Sequence, residues 1–233
     1  RIYDQSKVIS YYDDVAATFT NFAMSGIDKV HFGLEAAVSI PIYHTLALNG
    51  AVSWGQYTYD SNPYYLQTQD NSGDIVSDGY VYWKDFRVES TPQTAVNVGL
   101  SWRSNNNIYL SADFNYYNNM YLSMSPIYRT DAVITGGMAP GDIEHLRRQE
   151  KFDSAYTLNA SIGKNWYIHR KYTLGFSLDV KNILNNQDIK TGGYEQTRLS
   201  KNTETTVTTY QAFDSKYFYM FGTTYYLNLY FRF

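Results

Sequence analysis

The stretch Tyr172-Thr-Leu-Gly-Phe-Ser-Leu-Asp-Val180 decides the fold. Tyr172, Leu174, Phe176, Leu178 and Val180 alternate with Thr173, Gly175, Ser177 and Asp179, a strict period of two. Wound as a helix, the same residues would put Gly175 and Asp179 on the face of Tyr172 and Phe176. The stretch therefore reads as a strand with one apolar and one polar face. At the C-terminal end, Tyr225, Leu227, Leu229, Phe231 and Phe233 oppose Thr224, Tyr226, Asn228, Tyr230 and Arg232 in the same way. Toward the N-terminus further apolar rows follow: Tyr156 to Ile162, Ile108 to Tyr116, Val96 to Trp102, Leu46 to Trp54 and Val30 to Ile40. Residues 1–9 form a weaker eighth row. The expectation is an all-β, antiparallel architecture of about eight strands.

The connections differ sharply in length. Pro41–Tyr43, Ser104–Asn106 and His169–Arg170 are short, whereas about 60–91, 123–152 and 185–219 are long. A soluble β-sandwich also alternates, but its turns would be of similar size at both ends. Short turns at one end and long loops at the other are the pattern of an outer-membrane barrel. The apolar rows last about 9 to 13 residues, enough for a tilted strand to cross a bilayer. Trp54, Tyr57, Tyr59, Trp102, Trp166, Tyr167 and Tyr172 stand near row ends, as interfacial girdles require. These features predict a transmembrane β-barrel wall with Phe233 on the short-turn side. Eight strands alone enclose a narrow, side-chain-filled lumen, so three long loops point instead to a piece of a larger barrel. Two other readings stay open: an autonomous eight-stranded outer-membrane barrel serving as adhesin or structural protein, and a soluble extracellular sandwich that binds glycans.

Composition removes other classes. The 233 residues include no cysteine, which excludes disulfides, zinc–thiolate and iron–sulfur sites and thiol nucleophiles. Nineteen Lys plus Arg against 22 Asp plus Glu leave a net charge of -3, so no basic field exists for nucleic acid. The longest stretch free of charged side chains, Ala36–Tyr59, contains Ser39, Pro41, His44, Asn49, Gly50, Ser53 and Gln56 and is no transmembrane helix. With Arg1 first and no basic-then-apolar leader, the chain reads as a mature product or a portion of a longer one. No Gly-x-Ser-x-Gly, phosphate loop or His-Glu-x-x-His occurs, so neither catalysis nor a cofactor is expected.

Two C-terminal blocks carry a family likeness: Val180-Lys-Asn-Ile-Leu-Asn-Asn-Gln-Asp-Ile-Lys-Thr-Gly-Gly-Tyr-Glu-Gln-Thr-Arg198, and the run from Phe213 to Phe233. Upstream, Ser10-Tyr-Tyr-Asp-Asp14, Lys29-Val-His-Phe-Gly-Leu-Glu35, Gly55-Gln-Tyr-Thr-Tyr59, Thr91-Pro-Gln-Thr94 and Ser125-Pro-Ile-Tyr-Arg-Thr130 occur in matching order. In these the chain resembles the C-terminal part of SusC/RagA-like TonB-dependent outer-membrane transporters. The resemblance implies a 22-stranded barrel, of which this chain supplies the last eight strands or so, without the plug domain. It implies import of an oligosaccharide or peptide across the outer membrane of a Gram-negative bacterium. The implied partners are outer-membrane lipid, a SusD-like surface lipoprotein and, through an N-terminal part with no counterpart here, the TonB complex. It also implies that Leu229, Phe231 and Phe233 form the terminal signal for membrane assembly.

Candidate ligand residues follow from chemistry. Flat amphipathic rings stack on sugars, which singles out the loop aromatics Tyr82, Trp83, Tyr128 and Tyr194. Asp113 and Asp179 fall on the polar face and offer carboxylates to a lumen. No metal site is expected. His31 and Glu35 share a face but stand about 13 Å apart along a strand. Asp70, Ser72 and Asp74 mimic calcium-loop spacing, but Ile75 and Val81 occupy the positions that need Gly and Glu.

Overall fold

The computed structural model describes residues 1–13, 17–89, 91–135, 146–169, 171–202 and 209–233. Asp14 of the Ser10–Asp14 motif, Arg170 of the third short turn, and parts of all three long connections lie outside the described residues. The chain is all-β and antiparallel. Its strands are β1 (Ile2–Asp13), β2 (Thr18–Tyr43), β3 (Leu46–Tyr59), β4 (Tyr64–Gln69), β5 (Ile75–Tyr80), β6 (Thr94–Arg103), β7 (Ile108–Asn118), β8 (Ala155–Ile168), β9 (Tyr172–Lys181), β10 (Lys190–Tyr194), β11 (Leu199–Asn202), β12 (Thr209–Ala212), β13 (Lys216–Tyr219) and β14 (Thr224–Arg232). A short helix, α1 (Asp131–Thr135), follows a 3-10 turn at Ile127–Arg129.

The main sheet is a meander in which β2, β3, β6, β7, β8, β9 and β14 each pair with the next. Direct cross-strand partners share a face, so the register shows whether the apolar rows coincide. They do. Leu48 pairs with Leu100, Leu100 with Ala112, Ala112 with Ala160, Ala160 with Val180 and Val180 with Tyr225. One apolar face thus runs unbroken from Ile40 of β2 to Phe231 of β14. Phe32 to Ile42 spans 11 residues of β2, about 33 Å along the strand and about 25 Å in height at a 40° tilt.

This face is open. Phe32, Leu34, Val38, Leu227 and Leu229 are 56–70% accessible. The accessible surface is 14544 Å², against about 10,800 Å² for a compact soluble monomer of 26.9 kDa. The sheet does not close. One edge of β14 and the edge of Val30–Tyr43 opposite β3 have no strand partner among the described residues.

The eighth sequence row is displaced. Residues 1–9 do form a strand, but β1 pairs with Thr18–Lys29, the upper half of the 26-residue β2, and not with Val30–Tyr43. The hairpin of β4 and β5 flanks the same upper half on the other edge. A bulge separates the halves: Gln5 pairs with Ile27 but Lys7 with Met24, and Gly26 takes φ 74° there. Ser61 Oγ donates to Gly26 O at 2.6 Å and accepts from Asp28 N at 2.8 Å, satisfying the displaced backbone. Below the bulge Ile27 and Lys29 share the polar face; above it Met24, Phe22 and Thr20 do.

The buried core sits in the loop layer above the wall. Phe22 and Met24 of β2, Tyr59 of β3 and Tyr65 of β4 pack with Val81, Trp83, Met124, Ile127, Tyr128 and Val133. Phe22 stacks on Tyr65 at 4.7 Å, and Tyr59 lies 4.7 Å from Trp83. The long connections are therefore a packed layer built on the wall. Strand direction places Phe233 beside the short turn at residue 169, since Arg232 pairs with Thr173.

Candidate functional site

The polar face of the wall is a ladder of small hydrogen-bonding side chains. Ser39 donates to Asn49, which donates to Ser101; Asn97 donates to Asn115 at 2.9 Å; Ser111 and Ser161 meet at 2.8 Å. Tyr109 lies across Gly163 and Tyr230 across Gly175, where a Cβ would enter the ring. These glycines let an aromatic ring lie flat on the neighbouring strand. Asp113 stands on this face, opposite Gly99 and Asn159, with a carboxylate oxygen over Gly99. Asp179 stands on it between Ser161 and Tyr226. The two predicted carboxylates thus share the polar face, on strands with β8 between them.

Above the wall, one ion pair ties the loops together. Arg129 is 1% exposed, and its Nη1 and Nη2 donate to the two carboxylate oxygens of Glu195 at 2.5 and 2.9 Å. Such a forked contact is the strong form of a guanidinium–carboxylate pair. Nη1 also donates to Ser125 O, Nη2 to Arg148 O, and Ser125 N donates to Glu195 Oε2 at 2.8 Å. The guanidinium lies 5.4 Å from the ring of Phe86. Backbone bonds Ser123 N to Gly193 O and Glu195 N to Ser123 O extend the junction. The Ser125–Thr130 and Gly192–Gln196 motifs are therefore two halves of one lock.

Beside the lock lies a cleft of about 450 Å³ lined by Tyr128, Arg148, Glu150, Glu195, Phe213 and Tyr217 among others. Its far wall is a second charged group. Lys190 Nζ donates to Glu150 Oε1 at 3.0 Å and sits 3.8 Å over the ring of Tyr217, whose hydroxyl donates to Glu150 Oε2 at 2.7 Å. The bond to Glu150, with burial, raises the Tyr217 pKa. The cleft presents aromatic faces next to carboxylate and cationic groups, a lining that suits a polar ligand with apolar patches.

The loop aromatics expected to meet ligand divide in two. Trp83 is 1% exposed, a central residue of the loop core, and as placed has no ring face open to a ligand. Tyr128 is also buried: its hydroxyl donates to Arg198 O at 2.7 Å, and only its edge reaches the cleft. Burial pushes its pKa up to about 12. Tyr82 and Tyr194 are exposed. Tyr82 donates to Asp131 Oδ1 at 2.5 Å, and Tyr194 packs 6.0 Å from Phe218 on the β10–β13 pair. The structure thus brings Trp83 and Tyr128 into one core and leaves Tyr82 and Tyr194 on separate surfaces. Sequence reasoning did not single out Arg129, Glu195, Glu150 or Lys190. The members of each pair are 66 and 40 residues apart, so no local spacing marks them.

Other predicted positions have plain structural roles. His31 lies 4.8 Å from Tyr57, and Glu35 accepts from Ser53 at 3.3 Å. Asp70 accepts from Asn21, and Ser72 caps Asp74 N within a tight turn. Among the described residues no three His, Asp or Glu side chains gather as a metal site. No helix is long and apolar enough to cross a membrane among the described residues. Leu229, Phe231 and Phe233 point from the apolar face, 55–94% exposed, with Phe231 stacked 5.8 Å from Tyr172.

No protein-family model matches this chain, nor does any curated protein or solved structure.

Proposed function

We propose that this chain is part of the wall and outer loop layer of a β-barrel transporter in the outer membrane of a Gram-negative bacterium. The observation that carries the reading is the single apolar face that crosses seven paired strands without a break and stays exposed. Water would not tolerate so large a continuous patch, whereas a bilayer requires one about 25 Å tall. The polar face then lines a wet or plugged interior, and unpaired edges must meet further strands, because no open edge survives in lipid.

The likeness of the Gly192–Gln196 and Ser125–Thr130 blocks to SusC/RagA-like proteins supports a more specific form of this reading: TonB-dependent import of an oligosaccharide or peptide, with a SusD-like lipoprotein over the mouth. In that scheme the chain performs no chemistry. Its loops and inner wall select the ligand, with the cleft beside Glu195, exposed Tyr82 and Tyr194, and the inner-wall carboxylates Asp113 and Asp179 as contact points. Energy coupling belongs to the plug and the TonB complex. Leu229, Phe231 and Phe233 serve as the assembly signal at the short-turn end.

The test is the mass of the native protein in isolated outer membranes, heated and unheated, detected with an antibody against the Gly192–Tyr194 segment. A heated species several times larger than 26.9 kDa supports the transporter. A heat-modifiable species of 26.9 kDa replaces it with a small autonomous barrel, and absence from the membrane fraction removes both.

A further inference from the structure

Among the described outward positions of the wall strands, Lys164 is the one charged side chain; every other outward position on β2 below Lys29, β3, β6, β7, β8, β9 and β14 is uncharged. The remaining wall charges, among them Glu35, Arg103, Asp113, Asp179, Lys181 and Arg232, face inward. A lysine facing lipid is tolerated only where its ammonium reaches the interface. Lys164 does so by its place in the register. It pairs with Ile108, the first residue of β7, and the next residue's amide, Asn165 N, donates to Asn107 O in the short turn at 3.1 Å. Strand β8 runs on past that turn for four more residues. The stagger makes a corner at the short-turn rim of the apolar face.

Aromatic rings fix the cations in that corner. Lys164 Nζ lies 5.1 Å from the ring of Trp166, and Lys171 Nζ lies 5.2 Å from the ring of Tyr172 on the adjoining strand. Trp166 packs 5.9 Å from Phe176, and Tyr172 stacks on Phe231. Two ammonium groups are thus held against an aromatic girdle with no carboxylate among the described outward residues of the wall to neutralise them. A lysine already held against a ring gives up little freedom on meeting an anion.

We propose that this corner binds the headgroups of anionic phospholipids in the leaflet on the short-turn side, with Lys164 beside Trp166 and Lys171 beside Tyr172 each offering its ammonium to a phosphodiester and the two rings lying at the glycerol level. The inference rests on the membrane reading above. Its test uses the complete polypeptide in phosphatidylcholine vesicles, with spin-labelled phosphatidylglycerol and phosphatidylcholine as competing probes at the protein surface. The intact protein is expected to favour phosphatidylglycerol by about five-fold or more, the ratio that the attraction of one surface lysine to anionic lipid amounts to. Lys164→Gln with Lys171→Gln should bring that ratio close to one, while Lys181→Gln, on the inner face, leaves it unchanged. Inorganic phosphate should reduce the preference no more than chloride at equal ionic strength. A preference of one in the intact protein, its persistence in the double variant, or its selective loss in phosphate overturns the proposal while leaving the barrel intact. Failure to enter the vesicles overturns the membrane reading together with it.

Discussion

Replacing Glu195 by Ala removes the acceptor of three donors at once: Arg129 Nη1, Arg129 Nη2 and Ser125 N. Arg129 keeps only the carbonyls of Ser125 and Arg148, and at 1% exposure its charge cannot turn to water. Breaking a buried pair by removing one partner costs about 3–5 kcal/mol. Three kcal/mol is roughly a hundredfold or more in an opening equilibrium. The loop junction is distinct from the wall ladders, so the loss should stay local. Amide hydrogen exchange reads it: Ser123, bonded to Gly193 O, and residue 195, bonded to Ser123 O, should exchange about a hundred times faster. Amides of the β8–β9 ladder should not change. Replacing both partners with apolar residues, Arg129→Met with Glu195→Leu, should recover most of the protection, because no charge is then stranded. Junction exchange within threefold of the intact protein in the single variant refutes the lock, and equal acceleration in the wall refutes its locality.

Three further outcomes are expected. Trp83→Ala should cost about 3–5 kcal/mol of loop-layer stability, seen as faster proteolysis of the loops, and should weaken every ligand equally; a defect confined to one ligand at intact stability would return Trp83 to the binding surface. The hydroxyl of Tyr128 titrates near 10 in an unfolded chain but is pushed up to about 12 by burial, so the folded loop layer holds its proton more tightly. Its contribution is therefore full below pH 10 and lost as pH rises through 12, and absorbance at 295 nm should show a late tyrosinate step that coincides with loop opening. Gly163→Leu drives a side chain into the ring of Tyr109 and should slow assembly of the proposed barrel, measured as the heat-modifiable fraction on gels; unchanged assembly would mean that the ring moves aside without cost.

The wall was legible because its signal is periodic. Tyr172–Val180 and Tyr225–Phe233, read separately, turn out to be partners, with Leu178 facing Leu227 and Phe176 facing Leu229. Residues 1–9 misled as to height, since an alternating strand looks the same beside Val30–Tyr43 as beside Thr18–Lys29. The loop layer was far less legible. Trp83 and Tyr82 are neighbours of similar chemistry, one 1% and the other 41% exposed, and nothing local separates a ring that fills a core from one that meets solvent. The core that buries Trp83 is gathered from Phe22, Tyr59, Tyr65 and Tyr128, residues spread over four segments. Arg129 and Glu195 stood inside quoted motifs, yet pairing across 66 residues is a property of the folded loops alone.

The bulge at Gly26 has a bearing on how β2 tolerates change. A strand with unbroken alternation has one phase, so a one-residue deletion within it would exchange its two sides from that point on. The left-handed turn of Gly26 is a phase slip placed between the wall half and the loop-layer half. Each half keeps its own beat: Phe32 and Leu34 count from one origin, Phe22 and Met24 from another. Substitutions that retune the loop-layer half need not be compatible with the alternation of the wall half. Loss of Gly26 itself would force a choice, turning either Phe22 and Met24 out of the loop core or Phe32 and Leu34 toward the polar interior.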